Sequence, residues 1–336
     1  MKILVTGGAG FIGSHLCERL LARGDEVSCL DDLSSGRERN LDACLGRAGF
    51  RFVRGSVLDE GLVTELVGAV DGVFHLAARV GVRLVLEEPS RTLETNLVGT
   101  RHVLRAAARR GARVFLSSSS EVYGRNESPP FAEDAALLTG ATREPRWSYA
   151  ASKAMAEALV FAHVREHGLP ALVVRFFNVV GPRQRGRYGM VLPRFVRAAL
   201  AGTPLEVYGD GTQTRCFLHV TDALEAVLAL WDEPRALGQV VNVGSAHEVS
   251  IGALAECVRR AAGSVSPIVH MPYREAYGTE MTDFPRRVPG RTRLEALVGP
   301  LPVRGLEAIV AELVAELVAS ARPHATGDLP RAATGR

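Results

Sequence analysis

Tyr149 and Lys153 stand four residues apart in the run Tyr-Ala-Ala-Ser-Lys. On a helix that spacing projects both side chains from one face. A tyrosine works as a base near neutral pH only if its phenol, ordinarily with a pKa of about 10, gives up its proton early. A lysine ammonium beside it favours the phenolate. Ser119, in the serine run 117–120, can hydrogen-bond the same substrate hydroxyl that Tyr149 would deprotonate. These three residue types together suit proton removal from an alcohol.

The lysine is conspicuous for a second reason. Of the 40 basic residues only Lys2 and Lys153 are lysines. Arginine cannot stand in where a compact ammonium is needed.

A second constellation lies at the amino end. Lys2–Thr6 reads as a buried strand, and Gly7, Gly10, Phe11, Ile12 and Gly13 open the helix that follows. Glycines here let the backbone turn tightly against a pyrophosphate, and the helix terminus offers it free N–H groups. Asp31 follows Gly13 by 18 residues, at the end of the second predicted strand. Its carboxylate would accept hydrogen bonds from a ribose 2′-hydroxyl and repel a 2′-phosphate, which favours NAD over NADP. Arg37 is the nearby residue that could accommodate that phosphate.

The elements that must carry these residues alternate in type. Strands are expected at 2–6, 26–31, 50–54, 72–77, 113–118 and 171–177, and helices near 11–23, 59–69, 88–110 and 149–167. Such alternation implies an α/β fold, a Rossmann-like doubly wound parallel sheet. Ser119 then falls at the carboxyl edge of the fifth strand, where ligands bind in open sheets. Beyond Gly181 the segments 182–215 and 264–292 are rich in Arg, Pro and Gly. Between them a helix near 221–232, a strand near 239–243 and a helix near 250–262 are expected. The division read from this is an NAD-binding unit with the reactive residues (1–180), a smaller, partly irregular C-terminal substrate-binding lobe with some segments returning to the sheet (181–320), and a disordered tail (321–336).

The ordered set TGGAGFIG (6–13), HLAA (75–78), SSSSEVYG (117–124), YAASK (149–153) and RFFNVVGPR (175–183) resembles the extended short-chain dehydrogenase/reductases. More narrowly it is similar to the NAD-dependent nucleotide-sugar epimerases, dehydratases and UDP-glucuronate decarboxylases, over residues 1 to about 318. The resemblance implies transient oxidation of a UDP-sugar at C4, chemistry on the 4-keto sugar, and reduction back. It makes Tyr149 the base, Lys153 its electrostatic partner and ribose anchor, and Ser119 the hydroxyl clamp. Ala77 joins the cofactor contacts. Asn178 would face the sugar diphosphate, and Arg215 and Arg287 match arginines that hold it. The usual acidic residue at the adenine is missing, because Ser56 follows Gly55. A homodimer built on the helices near 88–110 and 149–167 is also implied.

The stretch Ser119-Ser120-Glu121 bears on the outcome. In the family's 4,6-dehydratases an Asp-Glu pair follows the hydroxyl residue, the Asp as acid for departing water and the Glu as base at C5. Here Ser120 replaces the Asp. Many 4-epimerases lack the Glu. Ser-Ser-Glu, with the Arg-Trp-Ser-Tyr approach at 146–149, resembles the UDP-glucuronate decarboxylases. Decarboxylation is therefore the leading expectation, ahead of 4-epimerisation and dehydration, with Ser120 at the substrate and Arg185 or Arg187 orienting its carboxylate. A catalytically idle NAD-binding regulator would be expected to lose Tyr or Lys from the pair, and both are present.

Bulk properties exclude other classes. A net charge of +3 without a long basic block argues against nucleic acid. No apolar run approaches the roughly 20 residues needed to cross a bilayer, and the start of the chain lacks a signal-peptide pattern, so a cytoplasmic enzyme is expected. Five scattered cysteines predict reduced thiols, neither a disulfide framework nor a zinc site. His163-Val-Arg-Glu-His167 spells an inverted zinc-protease pattern, but it runs into Gly168 at a predicted helix end and is read as solvated. No metal is expected.

Overall fold

Strand β1 (Lys2–Thr6) is buried beyond its first residue, as a strand covered on both faces of a parallel sheet must be. Its side chains alternate accordingly: Ile3 and Val5 enter one core and Leu4 the opposite one. The structure, a computed structural model, describes residues 1–184, 190–277 and 284–321. Around β1 are ranged β2 (Glu26–Asp31), β3 (Phe50–Arg54), β4 (Gly72–His75), β5 (Arg113–Ser119) and β6 (Ala171–Phe176). A seventh strand, Val240–Val243, adds itself beyond β6, giving the order 240–243, β6, β5, β4, β1, β2, β3, with every neighbour parallel. The order reverses direction between β1 and β4, which opens a crevice above their carboxyl ends.

Helix α1 (Phe11–Ala22) and the helix Val220–Asp232 cover one face, burying Leu16, Leu20 and Trp231 against Phe74 and Phe115. On the other face α2 (Glu60–Gly68), α4 (Pro89–Arg110) and α5 (Trp147–His167) contribute Val63, Val103, Leu104 and Val160. The expected helix 88–110 begins at Pro89, and a separate short α3 (Val82–Glu87) precedes it. Proline is accepted at a first helical position and turns the preceding residue out of helix. Helix α5 starts two residues earlier than expected, so Tyr149 sits in its first turn.

The segment 182–215 is more regular than its composition suggests. Val191–Ala201 is a helix whose Leu192, Phe195, Val196 and Ala199 form one buried stripe. It packs with helices Ile251–Ala261 and Leu306–Ala321 into a third core. Arg183 joins this lobe to the sheet: its N–H donates to Glu316 on the last helix, and its guanidinium reaches Ser14 and Glu18 on α1. No helix among the described residues is long and apolar enough to cross a membrane. Of the expected tail, 322–336 lie outside the described residues.

Candidate active site

The carboxyl ends of β1, β2, β4 and β5 border a cavity of about 370 Å3. Gly7, Gly10, Phe11, Ile12, Gly13 and Asp31 line one end of it, with Ala77 beside them. Ser119, Ser120, Glu121, Tyr149 and Lys153 line the other, together with Asn178 and Arg287.

The glycine end is built for close approach. Gly7 has φ +72°, and a Cβ there would lie 2.7 Å from the Ala77 nitrogen. A Cβ on Gly13 would meet the Gly7 carbonyl oxygen at 2.2 Å. No side chain caps α1 and no acidic residue lies in its first turn, so the terminus faces the cavity as an electropositive end. Asp31 accepts the N–H groups of Ala9 (3.0 Å) and Leu33 (2.8 Å). Burial raises its pKa, and those two N–H groups oppose the rise. Asp32, Ser34 and Ser35 also line this end, whereas Arg37 does not. A second carboxylate beside Asp31 strengthens the case against a 2′-phosphate.

At the reactive end, Lys153 is buried and its Nζ donates to the Ser117 carbonyl at 2.8 Å. Burial pushes its pKa down to about 8, with the charge of Glu157 pulling the other way. Tyr149 lines the same end of the cavity. Enclosure in the cavity pushes the phenol well above its ordinary value; the hydrogen-bonding hydroxyl of Ser119 draws it back in part, and the charge of Glu121 adds to the rise. Glu121 is itself an ion-pair partner of Arg287. Burial alone would raise its pKa, but Arg287, Arg146 and Arg215 together hold it below the usual range.

Not every predicted residue reaches the cavity wall. Arg215 stands on the strand paired with that of Arg287, and its Nη1 donates to the carbonyls of Thr214 (2.7 Å) and Phe284 (2.9 Å). Asn178, at φ +38°, lines the cavity but donates its amide to the Cys216 carbonyl at 2.9 Å. Arg185 and Arg187 lie outside the described residues. Glu166 and His167 are exposed, and among the described residues no group of three or more His, Cys, Asp or Glu could hold a metal ion.

The NAD dependent epimerase/dehydratase family model matches residues 3–244. The chain belongs to that family. Within it, the chain is 43% identical over 297 residues to a UDP-N-acetyl-alpha-D-glucosaminuronate decarboxylase of Bacillus cytotoxicus, covering 88% of this chain and 91% of the relative. It is 36% identical over 309 residues to UDP-glucuronic acid decarboxylase 1 of Xenopus tropicalis, covering 91% and 69%. Among solved structures, the UDP-glucuronic acid 4-epimerase of Bacillus cereus, in complex with UDP-glucuronic acid and NAD, superposes with a TM-score of 0.86 at 26% identity, over 95% of this chain and 100% of that one.

The family's cofactor is NAD, and the glycine end fits it, since side chains there would occupy the space of an approaching pyrophosphate. Sequence reasoning missed three charged lining residues of this epimerase/dehydratase site. Asp32 was legible as the second Asp at a strand end, and Arg146 stood in the quoted Arg-Trp-Ser-Tyr run without a role. Arg79 gave no local signal: its backbone N–H donates to Asn96 on α4 and its guanidinium to Glu88, contacts that only the fold creates.

Proposed function

We propose that the protein is an NAD-dependent decarboxylase of a UDP-hexuronic acid. The observation that carries this reading is the pairing of Arg287 with Glu121 at the reactive end, beside a buried Ser120 where a dehydratase would need an acid. The similarity to decarboxylases on 4-keto chemistry supports it.

NAD, held by the glycine end, would supply the hydride acceptor for C4 and, when oxidised, a positive ring charge. The side chains do the rest. Tyr149 accepts the C4 hydroxyl proton, and Ser119 hydrogen-bonds the same oxygen. The C4 ketone stands β to the C6 carboxylate, so the C5–C6 bond can break with its electron pair delocalised onto the C4 oxygen as an enolate. CO2 leaves, C5 takes up a proton from solvent in its place, and Tyr149 gives its proton back to the C4 oxygen as the ketone is reduced to the alcohol again. Glu121, held as an anion by its arginine neighbours, is a poor proton donor, and its part is to fix Arg287. With Glu121 beside it, we assign Arg287 to the sugar rather than the diphosphate, where a guanidinium can hold the substrate carboxylate. Arg215 and Asn178 remain assigned to the diphosphate side, Gly7 to Gly13, Asp31 and Ala77 to NAD.

Incubation with UDP-glucuronic acid, UDP-N-acetylglucosaminuronic acid and UDP-glucose, followed by mass analysis, tests this. A product lighter by one CO2 is expected from at least one uronic acid. An isomer of unchanged mass would establish 4-epimerisation instead, the reading that the resemblance to UDP-glucuronic acid 4-epimerase keeps second. Loss of water would establish dehydration. We further place the enzyme in the cytoplasm as a homodimer across α4 and α5. Five free, buried cysteines and an exposed Met155 on α5 suit that placement.

A further inference from the structure

Beside the reactive pair, one turn further along the same face of α5, lies a buried ionic cluster that the chemistry above does not use. Glu157 follows Lys153 by one turn on α5. Arg175 of β6 grips its carboxylate with two nitrogens, Nε at 3.0 Å and Nη2 at 2.7 Å. The Ser118 hydroxyl donates to the same carboxylate at 2.5 Å, and Arg175 spends Nη1 on the Glu133 carbonyl at 2.9 Å. Lys153, Glu157 and Arg175 are each only 4% exposed.

Contacts from the end of β5 tie down successive turns of α5. The carbonyl of Ser117 holds Lys153, the hydroxyl of Ser118 holds Glu157, and the hydroxyl of Ser119 meets Tyr149. Three consecutive strand residues thus engage positions i, i+4 and i+8 of one helix. A buried ion pair is weak evidence for stability, because desolvation offsets most of its Coulombic gain. Fixing a register is the better-attested use of such a pair.

We propose that Glu157, locked by Arg175, is a positioning residue for Lys153: it holds α5 in register on β5 and supplies the negative charge that keeps the buried ammonium protonated. The charged and titratable groups around Lys153 suit this. Glu157 on its own helix is the charged group that favours the ammonium. Arg175 faces Glu157 from β6. His75 on β4 is driven to a pKa of about 3 by burial and by Lys153, and so stays neutral. Tyr149 completes the set on the substrate side.

Because Lys2 and Lys153 are the only lysines, NMR of the NAD-bound enzyme carrying side-chain-labelled lysine gives two titrating signals, assigned with Lys2→Arg. In Glu157→Gln the Lys153 midpoint should fall by about one pH unit from about 8, kcat should fall about twofold at pH 7 and about tenfold above both midpoints, and its alkaline limb should move down with the midpoint, with KM and bound NAD unchanged. Glu157→Asp, which keeps the charge, should restore the midpoint. If Glu157→Gln leaves Arg175 too costly to bury for folding, Glu157→Gln/Arg175→Gln is compared with Arg175→Gln, so that the Glu157 charge is the one difference read. An unmoved Lys153 midpoint in the folded variant overturns the proposal. The inference rests on Tyr149 and Lys153 as the reactive pair, not on decarboxylation, and the titration needs no substrate. An enzyme that turns over no UDP-sugar would therefore sink the proposed function while leaving this test intact.

Discussion

Arg287 and Glu121, 166 positions apart in the chain, meet as an ion pair on the wall of one cavity. Glu121 arrives on the 3-10 turn Ser120–Tyr123 that follows β5, and Arg287 on the two-residue strand Arg286–Arg287. Glu121→Gln keeps the shape and removes the charge. We expect kcat to fall about a hundredfold, with NAD still bound, and Arg287→Lys to do comparable damage because an ammonium lacks the planar fork. Steady-state kinetics of the two variants and their double mutant check this. A double mutant no worse than either single one would show that the two act as a unit.

Tyr149→Phe removes the proton acceptor and little else. Turnover should vanish while the cofactor remains bound, measured as nicotinamide released on denaturation. Retained activity would remove Tyr149 from the role of base.

Glycine substitutions should separate space from strain. Gly13→Ala drives a methyl to within 2.2 Å of the Gly7 carbonyl oxygen and 2.8 Å of the Gly8 Cα. Backbone on both sides must shift, so NAD binding should be lost. Gly24→Ala, at φ +89° with nothing within 4 Å, should cost about 1 kcal/mol of stability from backbone strain and leave NAD binding unchanged. Calorimetric titration with NAD, alongside thermal melts, distinguishes the two.

Asp31 with Asp32 should govern the choice of cofactor. Asp31→Ser removes the 2′-hydroxyl acceptor and half of the local negative charge. The expected result is NAD binding weakened about tenfold, on the scale of a lost charged hydrogen bond, and a narrowed gap to NADP. An unchanged preference for NAD would assign the discrimination elsewhere.

His75 offers a pH signature of the fold itself. It sits buried between the hydroxyls of Thr6 (2.7 Å) and Thr100 (3.0 Å). Its pKa is lowered to about 3 from the model-compound value of 6.5, so the unfolded chain binds the proton more readily than the folded one. The stability contributed by a neutral His75 is complete above pH 6.5 and drains away as the pH falls toward 3. Tm should decline over that window, and the decline should be shallower in His75→Gln.

How far the sequence carries depends on whether a feature is local. β1 and β2 sit where alternating and β-branched runs predict, because a buried parallel strand leaves its signature in its own residues; β3, at the half-exposed edge, alternates instead. The glycines and Tyr-x-x-x-Lys are legible for the same reason, their chemistry being set by spacing along one element. The Val191–Ala201 helix was obscured by its Arg- and Pro-rich surroundings, although its apolar stripe was there to be read. The Arg287–Glu121 pair, the Arg79–Asn96 contact and the hydrogen bond from Arg215 to the Phe284 carbonyl depend on distant segments meeting. No periodicity encodes them. The raised pKa of Tyr149 is of this kind too, since it comes from enclosure by several elements.

The last strand of the large sheet, Val240–Val243, completes β6 only after the chain has passed through much of the substrate lobe. While the polypeptide is being synthesised, β6 therefore emerges with its outer edge unpaired, and an unpaired edge is a template for mispairing with other chains. Closure waits on a contact between residues more than sixty positions apart, from Val173–Phe176 to Val240–Val243, which places it late in folding. A fragment ending near residue 180 would keep the glycine loop and both reactive residues, and would still be expected to aggregate rather than yield a minimal catalytic unit.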